Sequence, residues 1–337
     1  MNFIIVGAGA VGCYVGGRLA VAGESVTLIG RPRSIEPLAL DGLTVSDQDG
    51  FKAHVPTQRL RLATSLANAW PGEATPSDTV ILLCVKGGAT LVAAAELAAT
   101  CPTQTTVVSL QNGVDNVSRI ASAAPRLEGV AGMVPYNVVM PSATHVHRAT
   151  GGSLHLARTA LTTGMAARMN AAGLTTVLAD DMRAVQWGKL LLNLNNPVNA
   201  LSDLPLREQL LDHDFRKVLA ALQTEALMVL GGAGIVPAKV SSAPPRALPY
   251  LLRLPNWLFT RAAARMLRID ASARSSMWDD FQHGRATEID DFCGAVVRMA
   301  TKHGMQAPYN AAICQLIKAH AKGRRWSGLA LRKSLGI

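Results

Sequence analysis

The fold is decided by residues 2–29, which read NFIIVGAGAVGCYVGGRLAVAGESVTLI. The β-branched run Asn2–Val6 predicts a strand, and the glycine turn that follows leads into a helical stretch, residues 13–22, which Gly23 ends. A second apolar run, Ser25–Ile29, predicts another strand. Because a strand that returns after a helix must cross over, we expect the two strands to be parallel.

The alternation of strand and helix continues along the first part of the chain. Residues 79–85 and 105–110 are typical of buried strands, and the alanine-rich residues 89–99 between them are typical of a helix. Residues 130–157 are strand-like and punctuated by glycine, and we expect them to close the same sheet. The pattern predicts an α/β Rossmann domain with a doubly wound parallel sheet.

From about residue 180 the pattern becomes helical, with amphipathic segments at residues 184–201 and 214–230 and no further strand signal. At 337 residues the chain is too long for one hydrophobic core. We therefore expect an α/β Rossmann domain at residues 1–180 and an all-α domain at residues 181–337. Small ligands commonly bind in the cleft between two such domains.

Composition excludes some classes of protein. Hydrophobic residues make up 49% and charged residues 17%, which is typical of a globular protein. The net charge of +10 indicates an anionic partner, although the basic excess lies mostly after Asp291. Aromatic residues are only 4% and are not interleaved with basic ones, so we expect no nucleic-acid partner.

Compartment and membrane association can also be judged from the sequence. No apolar run approaches the roughly 20 residues that span a bilayer, so we expect no membrane partner. The N-terminus lacks the basic region of a signal peptide, and the five cysteines contain no CxxC pair. These features favour a cytoplasmic protein with reduced thiols.

The glycine turn carries a dinucleotide-binding motif. Gly7, Gly9 and Gly12 fit GxGxxG directly after a strand and at the start of a helix, the context in which the motif is informative. Gly7 permits the tight turn, Gly9 lets the backbone approach a pyrophosphate, and Gly12 brings helix and strand together. With Ala10 and Val11 they form the predicted cofactor-binding turn.

The end of the second predicted strand indicates which dinucleotide binds. An NAD-binding protein would place Asp or Glu there against the ribose, and FAD sites usually do the same. This chain has Arg31 and Arg33 instead, and a guanidinium can bind a 2′-phosphate through two hydrogen bonds. NADP(H) is therefore favoured, with Arg31 as the first choice and Arg33 as an auxiliary; the alternative is two solvated loop arginines.

Two polar side chains follow later strands, at the edge of an α/β sheet where ligands bind. Lys86 lies in CVKGG and could contact a phosphate or ribose, and Asn112 lies in SLQNGVDN and could donate to a substrate oxygen. Taken singly, each is equally explained as an ordinary turn residue.

The segment VQWGKLLLNLNNPVNAL, residues 185–201, places polar groups among leucines. Lys189 and Asn193 are four residues apart, so on a helix they share a face. Polar groups are costly to bury without a purpose, which favours a site, although Lys189 could instead extend to solvent. Further on, Ser276 and Glu288 are twelve residues apart and would share a face if the helix were continuous. The acidic residues around them, among them Asp280 and Asp291, are expected to form a solvated surface.

Six motifs in order, GAGAVG, IGR, VKG, LQNG, WGKLLLN and SSMWDDFQHGRATEID, carry a family resemblance. The chain resembles the ketopantoate reductases (2-dehydropantoate 2-reductases) over essentially its whole length. The resemblance implies a Rossmann domain and an all-α domain related to that of 6-phosphogluconate dehydrogenase. It also implies reduction of ketopantoate, a small 2-oxo acid, to pantoate by NADPH in pantothenate biosynthesis.

The resemblance also implies roles for individual residues. Lys189 is the general acid, Glu288 and Asn193 help to hold the substrate, and Ser276 binds its carboxylate. Asn112 lies between cofactor and substrate, Lys86 contacts the cofactor, and Glu288 has catalytic and cofactor-side roles.

This sequence departs from the family at one site position. The family commonly has an asparagine eight residues after the lysine, where this chain has Pro197. Asn196 or Asn199 could substitute for it. A second departure is the segment 237–270, whose five prolines exclude one uninterrupted helix. It could be a lid, a membrane-contacting segment or a proline-broken loop with a surface helix.

Other functions stay open at this point. The nearest is an NADPH-dependent reductase of a different 2-oxo or 3-hydroxy acid. A non-catalytic NADPH-sensing protein that docks on a partner through its basic tail is another. A peripheral membrane protein that uses residues 257–259 is a third. The oligomeric state is not determined by the sequence, and a homodimer is among the options.

Overall fold

The computed structural model describes residues 1–69, 78–264, 266–267, 270, 272–320 and 324–337. The chain forms two compact units, Met1–Met182 and Arg183–Ile337. The first unit is α/β, and the described residues of the second unit are helical. The predicted fold class, a Rossmann domain followed by an all-α domain, is confirmed.

The strands of the first unit are β1 (Asn2–Val6), β2 (Ser25–Ile29), β3 (Leu43–Asp47), β4 (Lys52–Val55), β5 (Arg61–Ala63), β6 (Thr79–Leu83), β7 (Thr106–Ser109), β8 (Glu128–Met133), β9 (Val138–Ser142), β10 (His145–Arg148), β11 (Leu154–Ala157) and β12 (Thr176–Ala179). Its helices are α1 (Ala10–Val21), α2 (Pro32–Asp41), α3 (Thr90–Thr100), α4 (Asn116–Ala123) and α5 (Ala160–Ala171).

The large sheet of the first unit has, in the described residues, the strand order β12-β11-β8-β7-β6-β1-β2-β5. From β5 to β8 all neighbours are parallel, and β11 runs antiparallel to β8. The first two strands pair from Asn2 with Ser25 to Val6 with Ile29, so the predicted parallel pair is confirmed. Because β1, β6 and β7 are adjacent, the turns that follow these strands emerge at one edge of the sheet.

The expectation that residues 130–157 close this sheet is only partly right. Strands β8 and β11 do so, but β9 and β10 join β3 and β4 in a separate four-stranded sheet of order β4-β3-β10-β9. In β10 the buried Val146 alternates with the half-buried His145 and His147, a pattern typical of a strand with one solvated face. The small sheet lies on α1, where a Cβ at Gly17 would come within 2.3 Å of the Val45 side chain.

The helices of the second unit are α6 (Met182–Asn193), α7 (Asn195–Ser202), α8 (Leu206–Leu211), α9 (His213–Gly232), α10 (Leu248–Arg253), α11 (Asn256–Ala262), α12 (Ser276–Gln282), α13 (Cys293–Lys302), α14 (Pro308–Lys318) and α15 (Gly328–Ser334). The single helix expected at residues 184–201 is therefore two helices, α6 and α7. The physical reason is Pro197, which has no N–H and whose ring clashes with the carbonyl four residues earlier, that of Asn193.

Residues 252–259 of the proline-rich segment pack around one buried arginine on α9. The Arg216 guanidinium is fully buried and donates to the backbone oxygens of Leu252 and Leu254 and to Oδ1 of Asn256, at 3.0, 2.9 and 2.7 Å. It also lies 4.1 Å from the centre of the Phe259 ring. These contacts hold α10 and α11 against α9, so in its described residues this part of the segment is helical.

Among the residues that the structure describes, every helix is too short or too polar to cross a lipid bilayer.

Candidate functional site

The glycine turn between β1 and α1 is built by close packing at two positions. Gly7 has φ +115°, and a Cβ there would lie 2.8 Å from the Cys84 carbonyl carbon. A Cβ at Gly12 would lie 2.1 Å from the Gly7 carbonyl oxygen. The amides of Gly7 and Ala8 both donate to the Ile29 oxygen at 2.9 Å, which joins the turn to β2. Only glycine fits these two positions, with or without a ligand.

Gly9 is different, because a Cβ there would meet no protein atom within 4 Å, and its φ of −99° suits any residue. Packing within the protein therefore does not explain this glycine, whereas the close approach of a pyrophosphate to the backbone does. Gly9 caps α1, and the amides of Ala10, Val11 and Gly12 in the first turn have no intrahelical carbonyl to bond. Such a helix terminus suits an anion, so the turn fits a dinucleotide.

Arg31 lies where β2 ends, next to the glycine turn. It caps the N-terminus of α2, and its carbonyl oxygen accepts from the amides of Ser34 and Ile35. The side chains of Arg31 and Arg33 are both exposed. The first carboxylate after β2 is that of Glu36 on α2. An anion at this edge of the sheet would thus meet two guanidinium groups.

Lys86 and Asn112 follow β6 and β7, which are neighbouring strands. Lys86 is exposed and precedes a 3₁₀ turn, Gly87–Ala89, whereas Asn112 is half-buried and precedes Gly113, with φ +96°. Since β6 also pairs with β1, both turns lie at the same edge of the sheet as the glycine turn.

In the second unit, Lys189 lies on α6 in an apolar setting. Trp187, Leu190 and Leu191 are buried beside it in sequence, and Lys189 itself is half-buried. Burial lowers the pKa of the Lys189 ammonium to about 8. Asn193, one turn further along the same face of the helix as Lys189, is buried.

The chain after α9 crosses α6 immediately before this lysine. A Cβ at Gly188 would lie 2.2 Å from the Ala238 carbonyl oxygen, and the Ala238 amide donates to the Ala184 oxygen at 2.9 Å. The glycine that precedes Lys189 therefore permits a backbone contact that no other residue would allow, and this contact fixes the helix at that turn.

Ser276 and the asparagines of α7 meet in the second unit. Ser276 is exposed at the start of α12, and Nδ2 of Asn196 lies 3.4 Å from its hydroxyl oxygen. Asn199 is fully buried, accepts from the Ser275 amide at 2.9 Å and donates to the Leu204 oxygen at 2.9 Å. Of the two candidate substitutes, Asn196 contacts a predicted site residue directly, and Asn199 holds the backbone of the turn before α12.

Glu288 is not on one helix with Ser276, so that expectation is wrong. Helix α12 ends at Gln282, Gly284 follows with φ +60°, and the half-buried Glu288 precedes a 3₁₀ turn, Ile289–Asp291. A glycine in the left-handed region is a common way to end a helix. The expected solvated acidic surface is also wrong in part, because Asp280 and Asp291 are buried.

Sequence reasoning missed several polar residues near these positions. Thr90, Gln111 and Asn116 are buried and bond one another around the turns that carry Lys86 and Asn112. Oδ1 of Asn195, the first residue of α7, is buried and has no hydrogen-bond partner in the described parts of the chain. Short polar side chains of this kind give no periodic signal in the sequence. For Asn195, the pair of asparagines directly before Pro197 is the sequence feature that could have indicated a buried polar group.

The first unit has a glycine turn fitted to a dinucleotide, and the second has a lysine with a lowered pKa on an apolar helix. These features define a two-domain, nicotinamide-nucleotide-dependent oxidoreductase. Two family models match the chain: ketopantoate reductase PanE/ApbA over residues 3–160 and ketopantoate reductase PanE/ApbA C terminal over residues 181–321. The chain belongs to the ketopantoate reductase family, and the resemblance stated from the motifs is confirmed.

Individual relatives span nearly the whole chain. The 2-dehydropantoate 2-reductase of Halobacterium salinarum is 28% identical over 325 residues, which cover 94% of this chain and 98% of the relative. A PanE/ApbA family ketopantoate reductase from Ralstonia eutropha JMP134 is 27% identical, with a TM-score of 0.77 and 99% of each chain covered. A D-mandelate dehydrogenase solved with NADH and anilino(oxo)acetate is 20% identical, covers both chains fully and has a TM-score of 0.74, which shows a shared fold alone.

Proposed function

We propose that this protein catalyses the NADPH-dependent reduction of ketopantoate to pantoate, with Lys189 as the general acid. The observation that carries the proposal is the half-buried Lys189 on the apolar helix α6, with its pKa lowered to about 8. Perturbed ionisable groups cluster at functional sites, and a proton donor works best with a pKa near the working pH. The family membership supports the choice of reaction.

The cofactor, when bound, supplies a hydride to the ketone carbon of the substrate. As that bond forms, negative charge develops on the ketone oxygen. The Lys189 ammonium stabilises this charge and donates the proton that completes the hydroxyl group, a contribution of about 10² to 10⁴ in rate. The neutral amine that remains takes a proton back from water, which a pKa of about 8 allows near neutral pH.

The neighbouring polar groups of the second unit suit the rest of a 2-oxo acid. The exposed Ser276 hydroxyl and the Asn196 amide, 3.4 Å apart, both can donate to a carboxylate. We assign the carboxylate to this pair and the orientation of Lys189 or of a substrate hydroxyl to Glu288 and Asn193.

The first unit would hold the cofactor through residues at one edge of its sheet. The amides of the α1 N-terminus, at Ala10 and Val11, would bind the pyrophosphate. Arg31 would bind the 2′-phosphate that distinguishes NADPH from NADH, and Lys86 and Asn112 would contact the cofactor further along the edge.

A second candidate is the reduction of a different 2-oxo acid on the same scaffold. Pro197 stands where the family commonly has an asparagine, and this change lies one residue from Asn196 in the proposed carboxylate site. The shared fold with a D-mandelate dehydrogenase is consistent with more than one substrate on this architecture. The proposed reaction belongs to pantothenate biosynthesis, and we propose that the protein carries it out in the cytoplasm.

The test follows the loss of NADPH absorbance with ketopantoate and with a panel of other 2-oxo acids, for wild type and Lys189→Ala. We expect ketopantoate to be the best substrate and the variant to lose at least a hundredfold in kcat. Lys302→Ala, which changes an exposed lysine on α13, is the matched control and should stay near wild type. Activity of Lys189→Ala within a few-fold of wild type would contradict the assignment. NADPH binding without turnover on any oxo acid would favour a sensing protein.

A further inference from the structure

A buried hydrogen-bonded cluster joins the two cofactor-side turns of the first unit. The turn after β6 carries Lys86, and the turn after β7 carries Asn112. Between them lie three side chains that are no more than 7% exposed: Thr90 from α3, Gln111 from the second turn and Asn116 from α4. No role in the proposed reaction has been given to these three residues, which we call the brace.

Gln111 lies in the turn after β7 and reaches the turn after β6 through its amide nitrogen. Its Nε2 donates to the Val85 carbonyl oxygen at 2.9 Å and to the Thr90 hydroxyl oxygen at 2.8 Å, which uses both of its protons. Its Oε1 accepts from the Ser109 hydroxyl at 3.0 Å. Turning the amide over would place its oxygen against the Val85 oxygen, so one orientation is enforced.

The Thr90 hydroxyl accepts from Gln111 and has one proton for two neighbouring oxygens. These are the Gly87 carbonyl at 2.8 Å and Oδ1 of Asn116 at 3.0 Å. The Arg119 guanidinium also reaches both oxygens, at 3.1 and 3.5 Å, so whichever oxygen the hydroxyl leaves still has a donor. With the bond of Asn116 Nδ2 to the Asn112 oxygen, every side-chain nitrogen and oxygen of the brace has a hydrogen-bond partner, which favours a rigid buried network.

The brace ends on the backbone of the predicted site residues. Nδ2 of Asn116 donates to the Asn112 carbonyl oxygen at 2.7 Å. At the other end, the Val85 and Gly87 oxygens that accept from the brace flank Lys86 in sequence. The position of each turn relative to the other is therefore set by side-chain hydrogen bonds and not by the strands alone.

We propose that Thr90, Gln111 and Asn116 are positioning residues that hold Lys86 and Asn112 in the geometry that binds the nicotinamide cofactor. The inference rests on the cofactor-side roles given to Lys86 and Asn112 in the proposed function. A site that is already ordered before binding loses less entropy when the ligand arrives, so loosening the brace weakens binding.

The test compares Thr90→Val, which removes the hydroxyl at nearly constant volume, with Thr90→Ser, which restores it. Thr100→Val is the matched control, because this threonine is also on α3 and its hydroxyl donates to the Glu96 oxygen of its own helix. The dissociation constant for NADPH is measured by fluorescence titration well below the melting temperature. Amide hydrogen exchange of residues 85–90 and 111–116 is measured on the same proteins.

We expect Thr90→Val to raise the dissociation constant about three- to tenfold and to speed exchange in both turns, with Thr90→Ser near wild type. Thr100→Val should change neither quantity. An unchanged dissociation constant in Thr90→Val, with only a lower melting temperature, would assign the brace a purely structural role and overturn the proposal.

A second variant tests the same proposal if Thr90→Val does not fold. Asn116→Ala removes the bond to the Asn112 oxygen from the first turn of α4, and we expect the same loss of affinity. An Asn116→Ala protein that binds NADPH as wild type does would equally overturn the proposal. The dissociation constant and the hydrogen exchange are measured without turnover. A wild type that binds NADPH but does not reduce ketopantoate would therefore contradict the proposed function, and the role of the brace would still be tested by the same variants.

Discussion

The pH dependence of catalysis tests the role of Lys189 most directly. If its ammonium donates the proton to the ketone oxygen, the forward rate depends on the fraction of Lys189 that is protonated. Burial lowers this pKa from 10.5 to about 8, so the fraction changes in an accessible range of pH.

The magnitude follows from that pKa. With a pKa of about 8, the ammonium fraction is roughly 0.9 at pH 7, 0.5 at pH 8 and 0.1 at pH 9. The rate should thus fall about tenfold between pH 7 and pH 9. A lysine with the ordinary pKa of 10.5 would lose only about 3% of its protonated form over the same interval.

The assay is kcat/KM for ketopantoate at saturating NADPH and constant ionic strength, from pH 6 to pH 10, because this ratio reports the ionisation of the species before substrate binds. Pantoate oxidation with NADP⁺ should show the mirror image, because the amine must then be neutral to accept a proton. Its rate should rise with pH up to about 8 and then level off.

Lys189→Arg is the informative variant, since a guanidinium stays charged throughout this range. It should be slow, with no break near pH 8. A wild-type profile that stays flat to pH 10, or a Lys189→Arg protein that keeps the wild-type break, would refute the assignment of the proton donor to this lysine.

Three further predictions concern the cofactor turn and the cost of burying the lysine. Arg31→Asp should raise KM for NADPH at least tenfold with little change in KM for NADH. Arg59→Asp makes the same charge change before β5, at the amino ends of the parallel strands, and should leave both KM values near wild type. Gly9→Val should keep the melting temperature, because an added Cβ meets no protein atom within 4 Å, and should weaken NADPH binding more than tenfold. Gly12→Ala should lower the melting temperature even without cofactor, because its Cβ would lie 2.1 Å from the Gly7 carbonyl oxygen. Lys189→Met should stabilise the protein at pH 7 by about 1 to 3 kcal/mol in urea denaturation. Because the pKa of Lys189 is lower in the folded than in the unfolded wild type, the unfolded chain binds more protons between about pH 8 and 10.5, and wild type becomes more stable as the pH rises. The advantage of Lys189→Met should therefore shrink through that window. Equal stability of variant and wild type at pH 7 would contradict the prediction.

Much of the first unit could be predicted because local patterns report it. The run Asn2–Val6 is apolar on both faces, the glycines after it need special backbone geometry, and Ser25–Ile29 returns within a helix length, which permits only a parallel crossover. The small sheet could not be predicted, because the alternation around Val146 fits any strand with one solvated face and does not say which strand is its partner.

The helical unit shows a similar limit at single residues. The spacing of Lys189 and Asn193 indicates one face, but the break at Leu194 depends on how Pro197 meets the carbonyl of Asn193. Ser276 and Glu288 would share a face only on a continuous helix, but α12 ends at Gln282, and Gly284 with its positive φ follows.

The sequence alone determined the class of fold and indicated the glycine turn and Lys189 as candidate site residues, because each depends on residues close together in the chain whose types have few alternative explanations. The tertiary structure decided which of Asn196 and Asn199 contacts Ser276, which acidic residues are buried, and how Thr90, Gln111 and Asn116 connect two turns. The hydrogen bonds that join these residues to one another connect positions from 21 to 80 residues apart, and short-range patterns carry no information about which polar groups meet when the chain is packed.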